Sequence, residues 1–323
     1  MATYIGTHGG KVQDYTTDPD NPIVGQVWYN TTSNTLKFRG EGAGAWATTN
    51  ALNTARDQVA GAGTTTSGLV FGENFGGETE LFNGTNWTEV NDLTTSRRGL
   101  AGAGASNTAA LAFGGNLAAP SPNAAADETE TWNGTNWTEV NDLNQARSFP
   151  GGTGTNTAAL CFGGSTGAGT NPPITGETES WNGTNWTEVN DLNTARNALG
   201  GAGTTTSALA FGGGHPSKDE TELWNGTNWT EVADLSSVRG ACGGAGADST
   251  AALVFGGGSP SALTESWNGT NWTVEAVLNS GRTYLGSSKG SSTAALAMGG
   301  SNTTNSEEWN SPSGAVTKTV DTD

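Results

Sequence analysis

Short apolar segments alternate with Gly-rich and polar turns along most of the chain. In the segment TAALAF (108–113), Ala109, Leu111 and Phe113 share one face, and the alanines between them form the other. A strand with one bulky and one small face suits packing between sheets, because close-packed interiors match large side chains with small ones. Abundant Gly, Thr and Asn and few helix-forming segments predict an almost helix-free, all-β protein.

One phrase, NGTNW, occurs five times, at 83–87, 133–137, 182–186, 225–229 and 268–272. Its Trp residues are spaced by 50, 49, 43 and 43 residues. A degenerate sixth copy precedes them, with Trp46 and Arg56 in the same frame. Strand-rich repeats of about 40–50 residues are typical of β-propeller blades, which bury their faces only when neighbours stack on them.

Each repeat divides into four predicted strands. After the Trp strand come the segment DLNTAR, a small-residue strand such as ALGGAG (198–203), a polar turn, and a strand such as ALAFGG (208–213). A loop of variable length then leads to ETELWN (220–225). Asn225 and Gly226 are expected to make a tight hairpin into the next Trp strand, since Asn-Gly accepts positive φ at low cost.

These residues resemble the kelch repeat of β-propellers over residues 46–310. The resemblance rests on the Trp, an Arg about ten residues later, the Gly-rich strand, an apolar strand ending in Gly-Gly, and a later aromatic residue. It implies a six-bladed propeller over residues 41–310. The strand at Trp46 is expected to complete the last blade, together with either SEEWN (306–310) or TLKFR (35–39).

The N-terminal segment DPDNPIVGQVWYNTTSNTLKFRG resembles a hairpin near the N-termini of tailed-phage fibres and other virion appendages. A chain that combines such a segment with kelch-like repeats resembles structural proteins of marine cyanobacterial phages. This resemblance implies that residues 1–40 attach the chain to other virion proteins. Residues 311–323 are interpreted as a C-terminal tail.

The formal charge is −18 over 323 residues, which argues against a nucleic-acid partner because a phosphate backbone would be repelled. No segment has the apolar length of a membrane span, and the N-terminus lacks the features of a signal peptide, so no membrane insertion is expected. Cys161 and Cys242 fall on non-adjacent repeats and are interpreted as free thiols.

The loops that follow Gly-Gly vary in length, whereas the Asn-Gly hairpins on the opposite face are nearly constant. Variation on one face of a rigid scaffold suggests that this face meets a partner. The predicted variable-loop residues are Phe75, Asn116, Pro120, Thr166, Pro172, His215 and Lys218.

The same face is predicted to carry one arginine per repeat, in a circle around the channel mouth. In kelch propellers the matching arginine lies near that mouth and in some members contacts an acidic ligand. A circle of guanidinium groups would attract carboxylates, sulfates or phosphates. The alternative is structural: each Arg bridges to the Asp of the NDL segment or to carbonyls of a neighbouring blade. The six candidates are Arg56, Arg97, Arg147, Arg196, Arg239 and Arg282.

No catalytic chemistry is evident in the sequence. His8 and His215 are too few for a histidine-rich metal centre, and the paired carboxylates of the ETE segments are interpreted as solvated edge charges rather than a Ca²⁺ site. The Gly-rich segments precede strands, so they lack the helix N-terminus of a phosphate-binding loop. We therefore expect no enzyme activity, no metal and no cofactor.

The resulting expectation is a non-enzymatic virion protein, assembled in the host cytoplasm and present in several copies per particle. Its variable loops would recognise a host surface molecule, either a glycan or a protein. Two alternatives stay open: a decoration protein that binds only other virion proteins, and a cellular kelch-type adaptor that captures acidic peptides.

Overall fold

The computed structural model describes residues 12–20, 26–41, 44–73, 76–118, 124–167, 173–214, 217–259, 261–311 and 315–319. These residues form strands and turns and contain no helix. The chain divides into two compact units, Ala45–Asn310 and a terminal unit of Met1–Gly44 with Ser311–Asp323.

The unit Ala45–Asn310 contains six four-stranded antiparallel sheets, in agreement with the predicted repeat. The strands are numbered in chain order and given from the first to the fourth strand of each sheet. Sheet 1 comprises β5 (Ala60–Thr64), β6 (Ser67–Phe71), β7 (Thr79–Phe82) and β8 (Trp87–Val90); sheet 2, β10 (Ala101–Ser106), β11 (Ala109–Phe113), β13 (Thr129–Trp132) and β14 (Trp137–Glu139); sheet 3, β15 (Gly151–Thr155), β16 (Ala158–Phe162), β17 (Thr178–Trp181) and β18 (Trp186–Val189). Sheet 4 comprises β19 (Gly200–Gly203), β20 (Ala208–Gly213), β21 (Lys218–Trp224) and β22 (Trp229–Val232); sheet 5, β23 (Gly243–Asp248), β24 (Ala251–Phe255), β25 (Thr264–Trp267) and β26 (Trp272–Val274); sheet 6, β27 (Gly286–Ser287), β28 (Ala294–Met298), β29 (Ser306–Asn310) and β4 (Ala45–Thr48).

Sheet 6 joins the two ends of this unit. Its third strand β29 pairs with β4, which places Trp309 opposite Trp46. Of the two segments that could have filled this position, Ser306–Asn310 does so. The other candidate, Thr35–Arg39, lies in a strand of the terminal unit. A short two-stranded sheet, β9 (Arg97–Arg98) with β12 (Asn116–Leu117), adds to the connections of sheet 2.

The first strands of the six sheets contact one another in chain order, and β27 of sheet 6 also contacts β5 of sheet 1. Glycine makes this approach possible. A Cβ added to Gly102 would lie 2.7 Å from Cζ of Phe71, on the preceding sheet, and 2.9 Å from the Gly61 carbonyl oxygen. The small residues of the first strands therefore leave room for a large side chain of the preceding sheet's second strand, which is Met298 beside Gly61 and a Phe beside Gly102, Gly152, Gly201 and Gly244.

The Trp of each NGTNW phrase packs between two sheets. Trp137 makes an edge-to-face contact with Phe71 of the preceding sheet, with ring centroids 4.8 Å apart. Its indole N–H donates to Oγ1 of Thr79, also on the preceding sheet, at 3.0 Å. The same Trp to Thr hydrogen bond recurs at four other pairs: Trp186 to Thr129, Trp229 to Thr178, Trp272 to Thr221 and Trp46 to Thr264.

Between sheets 6 and 1 this joint has different residues. Met298 replaces Phe and packs in one cluster with Trp87, and Ser306 replaces Thr opposite Met298. Neither the Trp87 indole nitrogen nor the Ser306 hydroxyl has a hydrogen-bond partner among the described residues, although both are buried. This joint therefore lacks a polar interaction that the other five have.

A closed circle of six backbone hydrogen bonds joins the connections before the first strands. The donor and acceptor residues lie two positions after the repeat arginines, and each N–H donates to the carbonyl of its counterpart in the preceding sheet at 2.6–2.9 Å. All six have positive φ between 49° and 57°. They are Gln58, Gly99, Phe149, Ala198, Ala241 and Tyr284. Five of them are not glycine, so the circle holds these residues in a conformation they normally avoid.

A second set of backbone bonds involves the Gly-Gly pairs. The second residue of each pair donates its N–H to the carbonyl of the repeat arginine in the next sheet, for example Gly164 to Arg196 at 2.9 Å. Gly300 donates to Arg56 at 2.9 Å, which joins sheet 6 to sheet 1. Both glycines of a pair have positive φ, such as 65° for Gly163 and 109° for Gly164. This geometry explains why Gly-Gly recurs.

The NGTN residues form a four-residue loop rather than a two-residue turn centred on Asn-Gly. Trp224 pairs with Trp229 across this loop, and only Gly226 has positive φ, 92°. The Asn225 side chain accepts the N–H groups of Thr227 and Asn228 at 2.9 Å. Its role is therefore that of a side chain that closes the turn.

The terminal unit contains a sheet of β1 (Gln13–Tyr15), β2 (Val27–Asn30), β3 (Thr35–Glu41) and β30 (Ala315–Thr319). β2 and β3 form an antiparallel hairpin, and β30 pairs with β3. Residues 315–319 thus belong to the same sheet as the N-terminal segment, which differs from the expected division into segments 1–40 and 311–323. Asp18 accepts hydrogen bonds from Lys37, Asn30 and Trp28, which lower the pKa of its carboxyl to about 2.

Replacing Ala198 with Gly tests the strain in the backbone circle. Ala198 has φ of 49°, so Gly should relieve steric strain that exceeds its own entropic cost. We expect the free energy of unfolding in denaturant to rise by up to about 1 kcal/mol. The control Ala202→Gly, in β19 and without positive φ, should lower it. Equal losses in both variants would contradict the interpretation.

Replacing Ser306 with Thr tests the joint between sheets 6 and 1. Thr stands at the matching position of the other five sheets, and its branched Cβ restricts the hydroxyl to fewer orientations, so a bond to Trp87 becomes more favourable. We expect a gain of about 0.5–1.5 kcal/mol in the free energy of unfolding. The reverse change, Thr178→Ser, should weaken its joint. A loss of stability in Ser306→Thr would show that this joint has no room for the added methyl group.

Candidate functional site

The six repeat arginines lie in the connections just before the first strands, as the sequence predicts, but they are buried. Their exposure is 2% or less. Each guanidinium forms an ion pair with a glutamate on the third strand of its own sheet, at 2.5–3.1 Å in five of the six pairs. The pairs are Arg56 with Glu80, Arg97 with Glu130, Arg147 with Glu179, Arg196 with Glu222, Arg239 with Glu265 and Arg282 with Glu307.

Each glutamate also accepts hydrogen bonds from the backbone. In sheet 4, Oε2 of Glu222 accepts the N–H and the side-chain amide of Asn193 at 2.7 and 2.8 Å. The N–H three residues before the arginine makes the same bond in all six sheets. Both carboxylate oxygens thus accept hydrogen bonds from protein groups, which a buried charge requires.

The guanidinium makes a second contact with the chain. Nη1 of Arg196 donates to the backbone carbonyl of Glu220, two residues before the paired Glu222, at 2.5 Å. Matching bonds occur in the other five sheets. Burial lowers the pKa of Arg196, while the nearby Glu222 carboxylate opposes this shift. Each arginine therefore ties the connection before the first strand to the start of the third strand.

The aspartate of the NDL segment has another role. Asp191 accepts the backbone N–H of Thr178, the first residue of a third strand, at 3.2 Å. Asp92, Asp142 and Asp234 do the same for Thr79, Thr129 and Thr221. The arginines therefore have a structural role, as the alternative prediction states, but their acidic partner differs from the predicted one. Each arginine pairs with a buried glutamate, whereas the aspartate accepts a backbone N–H of the third strand.

The expectation of a circle of arginines open to an external anion does not agree with this geometry. Arg56, Arg97, Arg147, Arg196, Arg239 and Arg282 are all enclosed, and each has its charge compensated. A ligand that displaced one glutamate would leave that carboxylate buried without its cation, which is costly. These side chains act in the framework of the sheets.

Three of the predicted variable-loop residues can be placed. Thr166 is partly buried beside the isolated bridge of Ser165. Lys218 begins β21 and pairs with Glu220 at 2.8 Å with 26% of its side chain exposed. Asn116 is a correction: it lies in β12, paired with Arg98, and is only 7% exposed, so it is not available on the loop surface. Phe75, Pro120, Pro172 and His215 lie outside the described residues.

Sequence analysis missed the glutamates. A signal was present, because a Glu precedes the aromatic residue of the third strand by two positions in all six repeats. From the sequence alone, these carboxylates resemble solvated charges at strand edges. Two exposed apolar side chains near the loops were also missed: Ile174 is 38% exposed and Val238 is 55% exposed.

Among the side chains that the structure describes, no group of three or more His, Cys, Asp or Glu is placed to hold a metal ion. In the same residues no helix is long and apolar enough to cross a membrane. Cys161 and Cys242 are both free thiols, and burial raises the pKa of Cys161 to about 12.

Comparison with known proteins gives a likeness in fold. No protein-family model and no curated protein sequence matches the chain. A solved structure titled "Structure of YjhT" is similar, with a TM-score of 0.68 and 12% sequence identity, over 84% of this chain and 99% of that one. At such identity the likeness concerns the fold alone. The chain is an all-β protein of repeated four-stranded antiparallel sheets with a propeller-like fold.

Replacing Glu222 with Gln tests the buried ion pair. Gln keeps the shape but removes the negative charge, so the Arg196 guanidinium would stay buried without compensation. We expect a loss of about 3–5 kcal/mol in the free energy of unfolding. The control Glu220→Gln removes a partly exposed ion pair with Lys218 and should cost under about 1 kcal/mol. Equal losses in the free energy of unfolding for the two variants would show that the buried pair contributes no more to stability than the exposed one.

Proposed function

We propose that the six sheets are the blades of a closed, six-bladed, kelch-like propeller. Three observations support this arrangement: the first strands contact one another in cyclic order, the backbone circle returns from Tyr284 to Gln58, and β4 completes sheet 6. Closure by one strand from the start of the repeat region gives every sheet two neighbours.

We further propose that the protein is a non-enzymatic virion appendage, a tail fibre or a similar structure, that presents the propeller for recognition of a host surface molecule. The observation that supports this proposal most directly is a difference between two kinds of connection in each repeat: the NGTN hairpins are constant, and the loops after the second strands vary in length. The NGTN hairpins repeat the same hydrogen bonds in all five copies. By contrast, 13 residues separate Gly164 from Thr178, and only seven separate Gly213 from Thr221.

The rest of the repeat is constrained in ways that these loops are not. Arg, Glu, Trp, Thr and Gly-Gly each have a partner in the framework, so few of their substitutions would be tolerated. Sequence change can therefore accumulate in the loops after the second strands at little cost to the fold. One of these loops carries Ile174, an apolar side chain that is 38% exposed and could contact a partner. A glycan is the favoured ligand class, with a host protein as the second.

The terminal unit is the proposed attachment to other virion proteins. The N-terminal segment's resemblance to appendage leaders supports this role, and β30 shows that residues 315–319 belong to the same sheet. Several copies per particle would convert weak single contacts into strong adhesion. The burial of the repeat arginines argues against the alternative of an adaptor for acidic peptides.

A loop exchange tests recognition. Residues 165–177 are replaced by GHPSKDE (214–220), the corresponding loop of sheet 4. Both loops end in a glutamate whose backbone carbonyl accepts a hydrogen bond from the repeat arginine, so the exchange keeps an acceptor for Arg147. We expect the exchanged full-length protein to fold and to bind host cells or an immobilised host glycan at least about tenfold more weakly. Binding is measured with purified protein by cell sedimentation and on a glycan array.

The matched control changes the other face. Thr135→Ala and Thr184→Ala alter two NGTN hairpins and should leave host binding unchanged. A wild-type chain that binds virion proteins but no host surface would instead favour the decoration role. Loss of binding in the hairpin variants alone would assign recognition to the opposite face and contradict the proposal.

A further inference from the structure

Residues in and next to the first strands of all six sheets line a cavity of about 80 Å³ that is partly open to solvent. Most of its lining consists of glycine, alanine and other apolar residues. Three side chains differ in character: Lys289 is charged, Ser287 carries a hydroxyl, and Cys242 carries a thiol. A space of this size has room for a few water molecules or one anion of a few non-hydrogen atoms.

Ser287 and Lys289 are departures from the repeat. Five residues after the repeat arginine, the first five sheets have glycine, namely Gly61, Gly102, Gly152, Gly201 and Gly244. Seven residues after the arginine, they again have glycine, namely Gly63, Gly104, Gly154, Gly203 and Gly246. In sheet 6 these positions are Ser287 and Lys289. The sixth repeat therefore places two polar side chains where the others place none.

The local backbone adapts to this change. β27 ends after Ser287 and has only two residues, whereas the first strands of the other sheets have four to six. Oγ of Ser288 accepts the N–H of Leu296 at 2.9 Å, and the N–H of Lys289 donates to the Gly63 carbonyl of sheet 1 at 3.0 Å. A backbone hydrogen bond thus holds Lys289 beside the cavity.

The Lys289 ammonium has no carboxylate partner among the described residues. The other lysine side chains that the structure describes are paired, Lys37 with Asp18 and Lys218 with Glu220, each at 2.8 Å. Nζ of Lys289 instead lies 3.4 Å from Oγ of Ser287. That oxygen also receives the Gly244 N–H at 3.3 Å, which leaves the hydroxyl proton of Ser287 to be donated. A cation and a hydroxyl donor thus border the same small space.

The pKa of Lys289 agrees with a cation that lacks a carboxylate partner. Burial lowers the pKa of Lys289 to about 8, so the amine is largely protonated at pH 7. The only other titratable group among the described lining residues is Cys242, and burial raises the pKa of its thiol. The cavity therefore carries one positive charge at neutral pH, in a protein whose formal charge is −18.

We propose that this cavity binds one small monocarboxylate, the size of formate or acetate, through the Lys289 ammonium and the Ser287 hydroxyl. A single negative charge matches the single cation, and a carboxylate of this size fits the space. Lys289 is partly buried, and a bound carboxylate would supply its charge with both an ion pair and a hydrogen bond. The site is distinct from the loop surface of the proposed function and does not depend on it.

Acetate binding to the full-length protein tests the site. Titration calorimetry at pH 7 should show saturable binding of one acetate per chain in the wild type. Lys289→Met keeps the stem and removes the charge, and should weaken binding at least about tenfold. Ser287→Gly restores the residue of the other repeats and should weaken it less. The control Lys218→Met removes an ion-paired surface lysine and should bind acetate as the wild type does.

Two further measurements keep the test independent of the variants' folding. Acetamide should not bind the wild type, since it has the size of acetate but carries no charge. In wild-type protein, acetate should raise the pKa of Lys289, followed by NMR of its side chain, and acetate affinity should fall as the pH rises through about 8. The proposal is overturned by no saturable acetate binding, by equal binding in folded Lys289→Met, by equal binding of acetamide, or by an unchanged pKa of Lys289.

Discussion

A guanidinium that is withdrawn from water must have its charge neutralised, and this requirement shapes every repeat of the chain. In each sheet one arginine meets one glutamate across the width of the sheet, with less than 3% of either residue exposed. The glutamate comes from the third strand, and the arginine comes from the connection before the first. The pair can form only when all the intervening strands are in register, so it couples local strand pairing to the fold of the whole repeat.

The contacts between sheets follow a different rule, because they join a group of one sheet to a group of the next. The indole of Trp137 reaches Thr79, the amide of Gly164 reaches the carbonyl of Arg196, and the left-handed residues form a circle. No sheet satisfies these groups alone. This dependence explains why the NGTNW phrase is repeated with so little change: its Asn closes the turn, its Gly adopts positive φ, and its Trp fills the joint.

The repeat and most strand positions could be predicted from the sequence, since alternation, Gly-Gly and NGTNW are local signals. The acid that pairs with each arginine could not. Glu222 sits in an acidic segment that looks solvated, and its burial depends on Asn193 and Arg196, which lie in the connection before the first strand of the same sheet. Positive φ at Phe149 and Tyr284 was equally hidden, because only the backbone circle imposes it. β30 is a short polar segment whose pairing with β3 depends on residues far away in the chain.

Sheet 6 takes its fourth strand from the beginning of the repeat region and its other strands from the end. Residues 45–48 leave the ribosome before any other part of the six sheets, but their partner β29 is synthesised only at residues 306–310. β4 therefore remains unpaired while the residues of the other five sheets are synthesised. Completion of sheet 6 is thus a late event in biosynthesis, and a chain truncated before residue 306 would be left with an unpaired first strand.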